Sequence, residues 1–209
     1  MGYSMTYDSL LDDVRRYLER GFTEESDKIV YEQLPRLITL GERRIARELK
    51  IEGFIRAVTT PLQVGNPVYQ KPDRWRDTVS MTLNGKPIFA RSYEYCRNYS
   101  PENISNTPEF YADYDYQHWL ICPTPDDTYS LEVLYYEQPR FLGDDFQTNW
   151  LTEYAPDVLL YATLLEATPF LKNDERVGMW QQMYDRAAQA LSGEDLKRIL
   201  DRTAQRSEA

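Results

Sequence analysis

Apolar residues recur at helical spacing over the first fifty or so positions, alternate with polar ones from about residue 55 to 140, and return to helical spacing afterwards. In the first block, Thr6 is placed to cap a helix whose stripe is Tyr7, Leu10, Leu11, Val14, Tyr17 and Leu18, and Gly21 suits the position that ends it. Thr23 to Asp27 is expected to start a second helix, with Glu24, Glu25 and Asp27 set against the positive end of its dipole. Its stripe is Val30, Leu34, Leu37, Ile38, Gly41, Ile45 and Leu49. Pro35 falls inside that stripe and either kinks one helix or starts a new one.

Gly53 closes the helical block. Strand candidates follow at Arg56 to Val64, Trp75 to Asp77, Val79 to Leu83 and Pro87 to Tyr95, the last two flanking Asn84-Gly85, the strongest short hairpin signal in the chain. Gly65 to Asp73 and Asn98 to Glu109 read as loops. From Tyr114 to Pro139, two aromatic and β-branched runs flank Pro123-Thr124-Pro125-Asp126-Asp127, which predicts a second hairpin. Its later run, Tyr129 to Tyr136, becomes apolar on both faces and reads as a central strand covered by helix.

After a connector from Phe141 to Thr148, Asn149 to Tyr154 predicts a short helical turn. Pro156 opens a helix carrying Val158, Leu159, Tyr161, Ala162, Leu165 and Phe170, apolar on more than one side and therefore central to a core. Asn173 or Asp174 would cap the last long helix, with Val177, Trp180, Tyr184, Ala187 and Leu191 in line and a possible break at Ser192-Gly193. The fold class expected is α+β. Helices of residues 1–54 and 141–209 form one bundle, and residues 55–140 are an inserted, mainly antiparallel β-sheet or sandwich region.

Composition narrows the function. The 209 residues suffice for a self-sustaining core, burying roughly 70% of the unfolded surface. Net charge is −10, from 24 basic and 34 acidic residues, which argues against a tight nucleic-acid groove and suits a surface that lets DNA pass. The longest apolar run, Val158 to Leu165, falls far short of the ~20 residues of a membrane span. Seventeen tyrosines point either to protein contacts or to a tyrosine-rich sheet. No secretory apolar stretch opens the sequence as given, so Cys96 and Cys122 are expected to be reduced.

Residues of a reaction are scarce. His118 is the one histidine, and Cys96, His118 and Cys122 lack the usual metal-ligand spacings; a packed Cys and His on one strand is the expected reading. No G-x-S-x-G, phosphate loop or dinucleotide motif occurs. Asp12-Asp13, Glu24-Glu25, Asp126-Asp127 and Asp144-Asp145 are adjacent pairs whose side chains diverge, unlike a carboxylate pair facing across a cleft. Asp113 and Asp115 share a face and read as a wet strand surface rather than a calcium site. Catalytic residues, cofactors and metals are therefore all expected to be none. An alternative is a non-enzymatic binding module whose aromatic sheet (Tyr114, Tyr116, Trp119, Tyr135, Tyr136) recognises a glycan or protein partner.

Several stretches in order carry a resemblance: Tyr7 to Leu11, Leu34 to Ile38 running into Glu42 to Leu49, Trp119 to Asp126, Leu131 to Tyr136, Thr148 to Leu151, and Pro156 to Ala162. Together they resemble the head-to-tail adaptor proteins of tailed bacteriophages. The resemblance implies a structural virion protein of the neck, made in the host bacterial cytoplasm, that forms a homo-oligomeric ring, typically a dodecamer. The ring would sit beneath the portal protein, meet the tail or nozzle protein below, and line a conduit through which DNA passes without specific binding. No membrane is involved. It also implies a C-terminal helix docked on the portal, here Gly193 to Ala209; the family has no residue signature to carry over, and Leu196, Lys197, Ile199, Leu200 and Arg202 are the docking residues expected on that segment.

Overall fold

A computed structural model describes residues 4–99, 104–170 and 175–207, with 195–207 described by backbone alone. The chain divides into two compact units: Met1–Gly53 with Pro139–Ala209, and Phe54–Gln138 between them. Among the described residues the class is α+β, with six α-helices and a mixed seven-stranded sheet.

In the first unit, α1 (Tyr7–Leu18) starts on Thr6, whose hydroxyl accepts the Ser9 amide while the Ser9 hydroxyl accepts the Thr6 amide. The helix ends just short of where Gly21 would end it, with Glu19 as its cap. Glu19 takes the left-handed conformation at φ 56°, and Gly21 follows at φ 70°. α2 (Lys28–Glu48) begins at Asp27, whose carboxylate accepts the Val30 amide, so Thr23 to Ser26 form the turn before the helix rather than its start. It runs through Pro35 as one helix of 21 residues. α4 (Trp150–Tyr154) is capped by Asn149, and Pro156 opens α5 (Pro156–Glu166).

The apolar character of α5 has the expected consequence. Val158, Leu159, Leu160, Ala162, Leu164 and Leu165 are all buried, and the helix touches α1, α2, α4 and α6 (Arg176–Ser207). Close approach of α2 to α5 depends on Gly41: a Cβ there would sit 2.9 Å from Thr163 Oγ1 and 3.0 Å from its backbone nitrogen. A polar network joins the same helices. Arg44 binds Glu48 at 3.0 Å and Glu166 at 3.3 Å, and the Tyr184 hydroxyl of α6 donates to Glu48. Phe170 lies beyond α5, in a 3-10 turn over Thr168–Phe170. α6 continues without a break through Ser192 and Gly193. The capping choice between Asn173 and Asp174 lies outside the described residues.

The second unit is built on the strands β1 (Ile55–Leu62), β2 (Val68–Gln70), β3 (Trp75–Leu83), β4 (Lys86–Ala90), β5 (Phe110–Asp113), β6 (His118–Cys122) and β7 (Tyr129–Glu137), with the short helix α3 (Tyr93–Tyr99) after β4. Their order in the sheet is β1-β7-β3-β4-β5-β6-β2. β4 and β5 are parallel and the other neighbours antiparallel, so the sheet is mixed. The Asn84-Gly85 hairpin is present, with both residues at positive φ, 48° and 78°.

The run around Pro123 to Asp127 does not close a hairpin. β6 pairs with β5 and β2, while β7 pairs with β1 and β3. The connecting loop bonds outward instead: the carbonyls of Thr124 and Pro125 accept the amides of Asn106 and Gly65. Pro123 and Pro125 have no amide to donate, which favours a crossing over a tight turn. β7 is central in its pairing, yet only Leu131, Val133 and Tyr135 are fully buried on it. The strand buried on both faces is β6.

All seven strands send side chains into one core: Leu62, Tyr69, Met81, Leu83, Ile88, Tyr111, Trp119, Ile121, Leu131, Val133 and Tyr135. A sheet whose strands share one inside is curled. On the outer side of β5 and β6, Ala112, Leu120 and Cys122 pack against Cys96 of α3. Trp119 is 1% exposed, and its indole N–H donates to Thr78 Oγ1 at 3.2 Å. Trp119→Ala is expected to cost about 3–5 kcal/mol of stability, read as a lowered urea midpoint; a loss below about 1 kcal/mol would contradict this packing.

Candidate interaction surface

His118, Asp113, Asp115, Cys96 and Cys122 are each engaged in contacts within the fold. His118 Nδ1 lies 2.9 Å from Asp115 Oδ1, and the same carboxylate accepts the Gln117 amide at 2.7 Å. Asp113 pairs with Lys71 at 2.6 Å. The buried Lys71 ammonium also donates to the Asp115 carbonyl at 3.0 Å and sits 3.6 Å from the centre of the Trp75 ring. The two aspartates thus serve different partners. Cys96 and Cys122 meet beneath α3, where the Cys122 thiol donates to the Cys96 carbonyl at 3.1 Å. Burial pushes the Cys96 thiol up to about 12, which makes it an inert packing group. Among the described residues no three His, Cys, Asp or Glu side chains gather to hold a metal.

Glu42, on α2, is a buried carboxyl at 0% exposure. It accepts the Leu142 amide at 3.1 Å and the Asn149 side-chain amide at 2.7 Å. Desolvation raises its pKa from 4.5 to about 7, against those two hydrogen bonds, which favour the charged form. Asn149 also caps α4, so one carboxyl ties α2 to the connector and to the next helix.

The aromatic set proposed for a sugar platform is divided by the fold. Trp119 and Tyr135 face the core, whereas Tyr114 and Tyr116 are exposed. A different aromatic surface forms on α3. The Ser92 hydroxyl accepts the Tyr95 amide at 3.2 Å, Cys96 points inward, and Tyr93, Tyr95 and Tyr99 point out. Tyr95 and Tyr99 stack at 5.7 Å, and both meet the Phe110 ring edge-on, at 5.4 and 5.0 Å. Arg91 lies over Tyr95 and Phe110, and Arg97 over Tyr93 and Tyr114. Reading Pro87 to Tyr95 as strand hides this helix. Ser92 as a cap, Glu94 in the first turn and Arg97 in the last were the available signals.

Leu196, Lys197, Ile199, Leu200 and Arg202 fall on α6, their side chains lying outside the described residues. No helix of the described residues is long and apolar enough to cross a membrane.

A family model described as SU10 adaptor protein matches residues 5–207. The chain belongs to that family. It is a phage head-to-tail adaptor family, so this adaptor is a structural phage protein, a virion component that interacts with other head and tail proteins. No curated protein matches the chain.

Glu42 gives this adaptor a pH dependence of defined sign. Its folded pKa, about 7, lies above the unfolded value of 4.5, so the folded state holds a proton that the unfolded chain releases between them. The stability contributed is full below that window and is lost as pH rises through it, by about 2–4 kcal/mol. Denaturation of wild type and Glu42→Gln across this range should give a difference that changes with pH; two parallel curves would contradict it.

Proposed function

We propose that this adaptor works as a ring, a dodecamer, seated beneath the portal, lining the DNA conduit and offering its lower face to the tail or nozzle protein. The observation that carries this reading is the family match over nearly the whole chain. In this reading, the helices of the first unit act as one bundle, and the sheet unit is the inserted contact module. The protein catalyses nothing. Its work is to fit between neighbours.

Two features support the reading. The chain carries a net charge of −10, which suits a channel that DNA must leave freely. The 32 residues of α6 span about 48 Å of helix. Trp180, Tyr184 and Ala188 anchor its first half, and from Gln189 to Glu194 only Leu191 is even partly covered. The docking segment proposed on its far half includes Leu196, Lys197, Ile199, Leu200 and Arg202. Alternation of apolar and basic groups there suits a portal surface with an apolar groove and an acidic rim.

The test is reconstitution with the portal protein of the same phage. Wild type should add a ring of density to portal particles in negative-stain images. Leu196→Asp with Leu200→Asp should keep the helix content and lose binding by at least tenfold, the loss of one or more buried anchors. Portal particles that stay bare at high adaptor concentration would contradict the reading.

A further inference from the structure

The outer face of α3 has the makings of a protein contact. Tyr95 and Tyr99 are 41% and 42% exposed although their rings are already locked against each other and against Phe110. Tyrosine and arginine are the residue types that dominate contact energies, and rings held in place before binding lose little freedom on binding. Arg91 and Arg97 have no carboxylate partner among the described residues. Arg91 donates to the Ala90 carbonyl, and Arg97 to the Tyr93 hydroxyl at 3.0 Å. A second copy of this chain, with 34 acidic residues against 24 basic ones, has carboxylates to offer them.

We propose that this face, centred on Tyr95, Tyr99, Arg91 and Arg97, is the contact with the next copy of the chain. The assignment rests on the ring reading above and specifies one of its surfaces. The partner surface on the neighbour is a different one, and it carries carboxylates. If the face met its own twofold copy, it would bring like guanidiniums together, a repulsive arrangement; an acidic neighbour surface supplies what they lack. Contacts between unlike surfaces are also what a closed ring requires. DNA suits the face less well. Glu94 is on the same helix and Glu109 accepts the Tyr99 hydroxyl at 3.1 Å, so a phosphate backbone would meet carboxylates as well as arginines there.

The experiment compares full-length wild type with two variants, Tyr95→Ala/Tyr99→Ala and Arg91→Glu/Arg97→Glu. Thermal melting, sedimentation of the protein alone and imaging of rings on portal particles are read for each. The arginine variant removes the guanidiniums over the rings but keeps the Tyr95, Tyr99 and Phe110 ring-on-ring contacts and the Cys96 contact, so it guards against a simple folding defect in the tyrosine variant. Melting temperatures close to wild type, with at least tenfold weaker self-association and incomplete rings in both variants, are expected. If wild type forms rings and both variants form them equally well, the surface assignment is wrong and the ring reading stands. If wild type forms no ring even on portal, both fall. Variants that assemble normally but lose only DNA retention would also overturn the assignment.

Discussion

Seven strands sharing one inside is the constraint from which the sheet unit follows. A flat sheet of this length would leave Trp119, Met81 and Ile121 on an open face. Curling brings them together with Leu131 and Val133 in a single core. Curling also fixes what faces outward. Alternation along β6 puts Leu120 and Cys122 opposite Trp119 and Ile121, and that second apolar row needs its own cover. α3 supplies it through Cys96. Its tyrosines then point outward, which is how three of them come to lie exposed, Tyr95 and Tyr99 against Phe110 and Tyr93 against Tyr114.

The helical unit solves a different problem. α5 is apolar on all sides, so it must be surrounded, and α1, α2, α4 and α6 surround it. Glu42 is a buried carboxyl within this unit, which also buries the hydroxyls of Thr152 and Thr163. It holds an amide of the connector and the capping side chain of α4, so its burial is repaid in the positioning of the chain after the sheet unit. The groups that chemistry would need are spent in the same way: His118 on Asp115, Lys71 on Asp113, Cys122 on the Cys96 carbonyl.

Much of this was legible in the residues. Thr6, Asn149, Pro156 and Asn84-Gly85 each act through local geometry, and each does in the structure what its local chemistry dictates. The reading failed where the deciding partner is distant. The Pro123 to Asp127 loop looks like a hairpin because its flanks alternate, but alternation does not say which strand a neighbour will be. β2 is three residues long and exists only through its pairing with β6, and Pro-rich surroundings hid it. α3 was masked by tyrosines, which favour strands, although burial of Cys96 against β6 outweighs that preference. Ser192-Gly193 looked like a helix end, yet two weak helix formers cost only about 1–1.5 kcal/mol, too little to stop a long helix. Of the interaction surface, only the abundance of tyrosine was visible; their gathering on one face needed the fold. The docking segment on α6 rests on family resemblance, which supplies no residue signature for it, and nothing in the pattern of Leu196 to Arg202 by itself marks a docking helix.

On the proposed assignment, the curled sheet presents α3 to a neighbouring copy. Hydrogen–deuterium exchange at the amides of Tyr93–Tyr99, measured on the free adaptor and on the assembled ring, tests this most directly. The account predicts exchange slowed at least tenfold in the ring, with the amides of the buried β6 strand unchanged. Equal exchange in both states, with protection appearing on some other face, would contradict it.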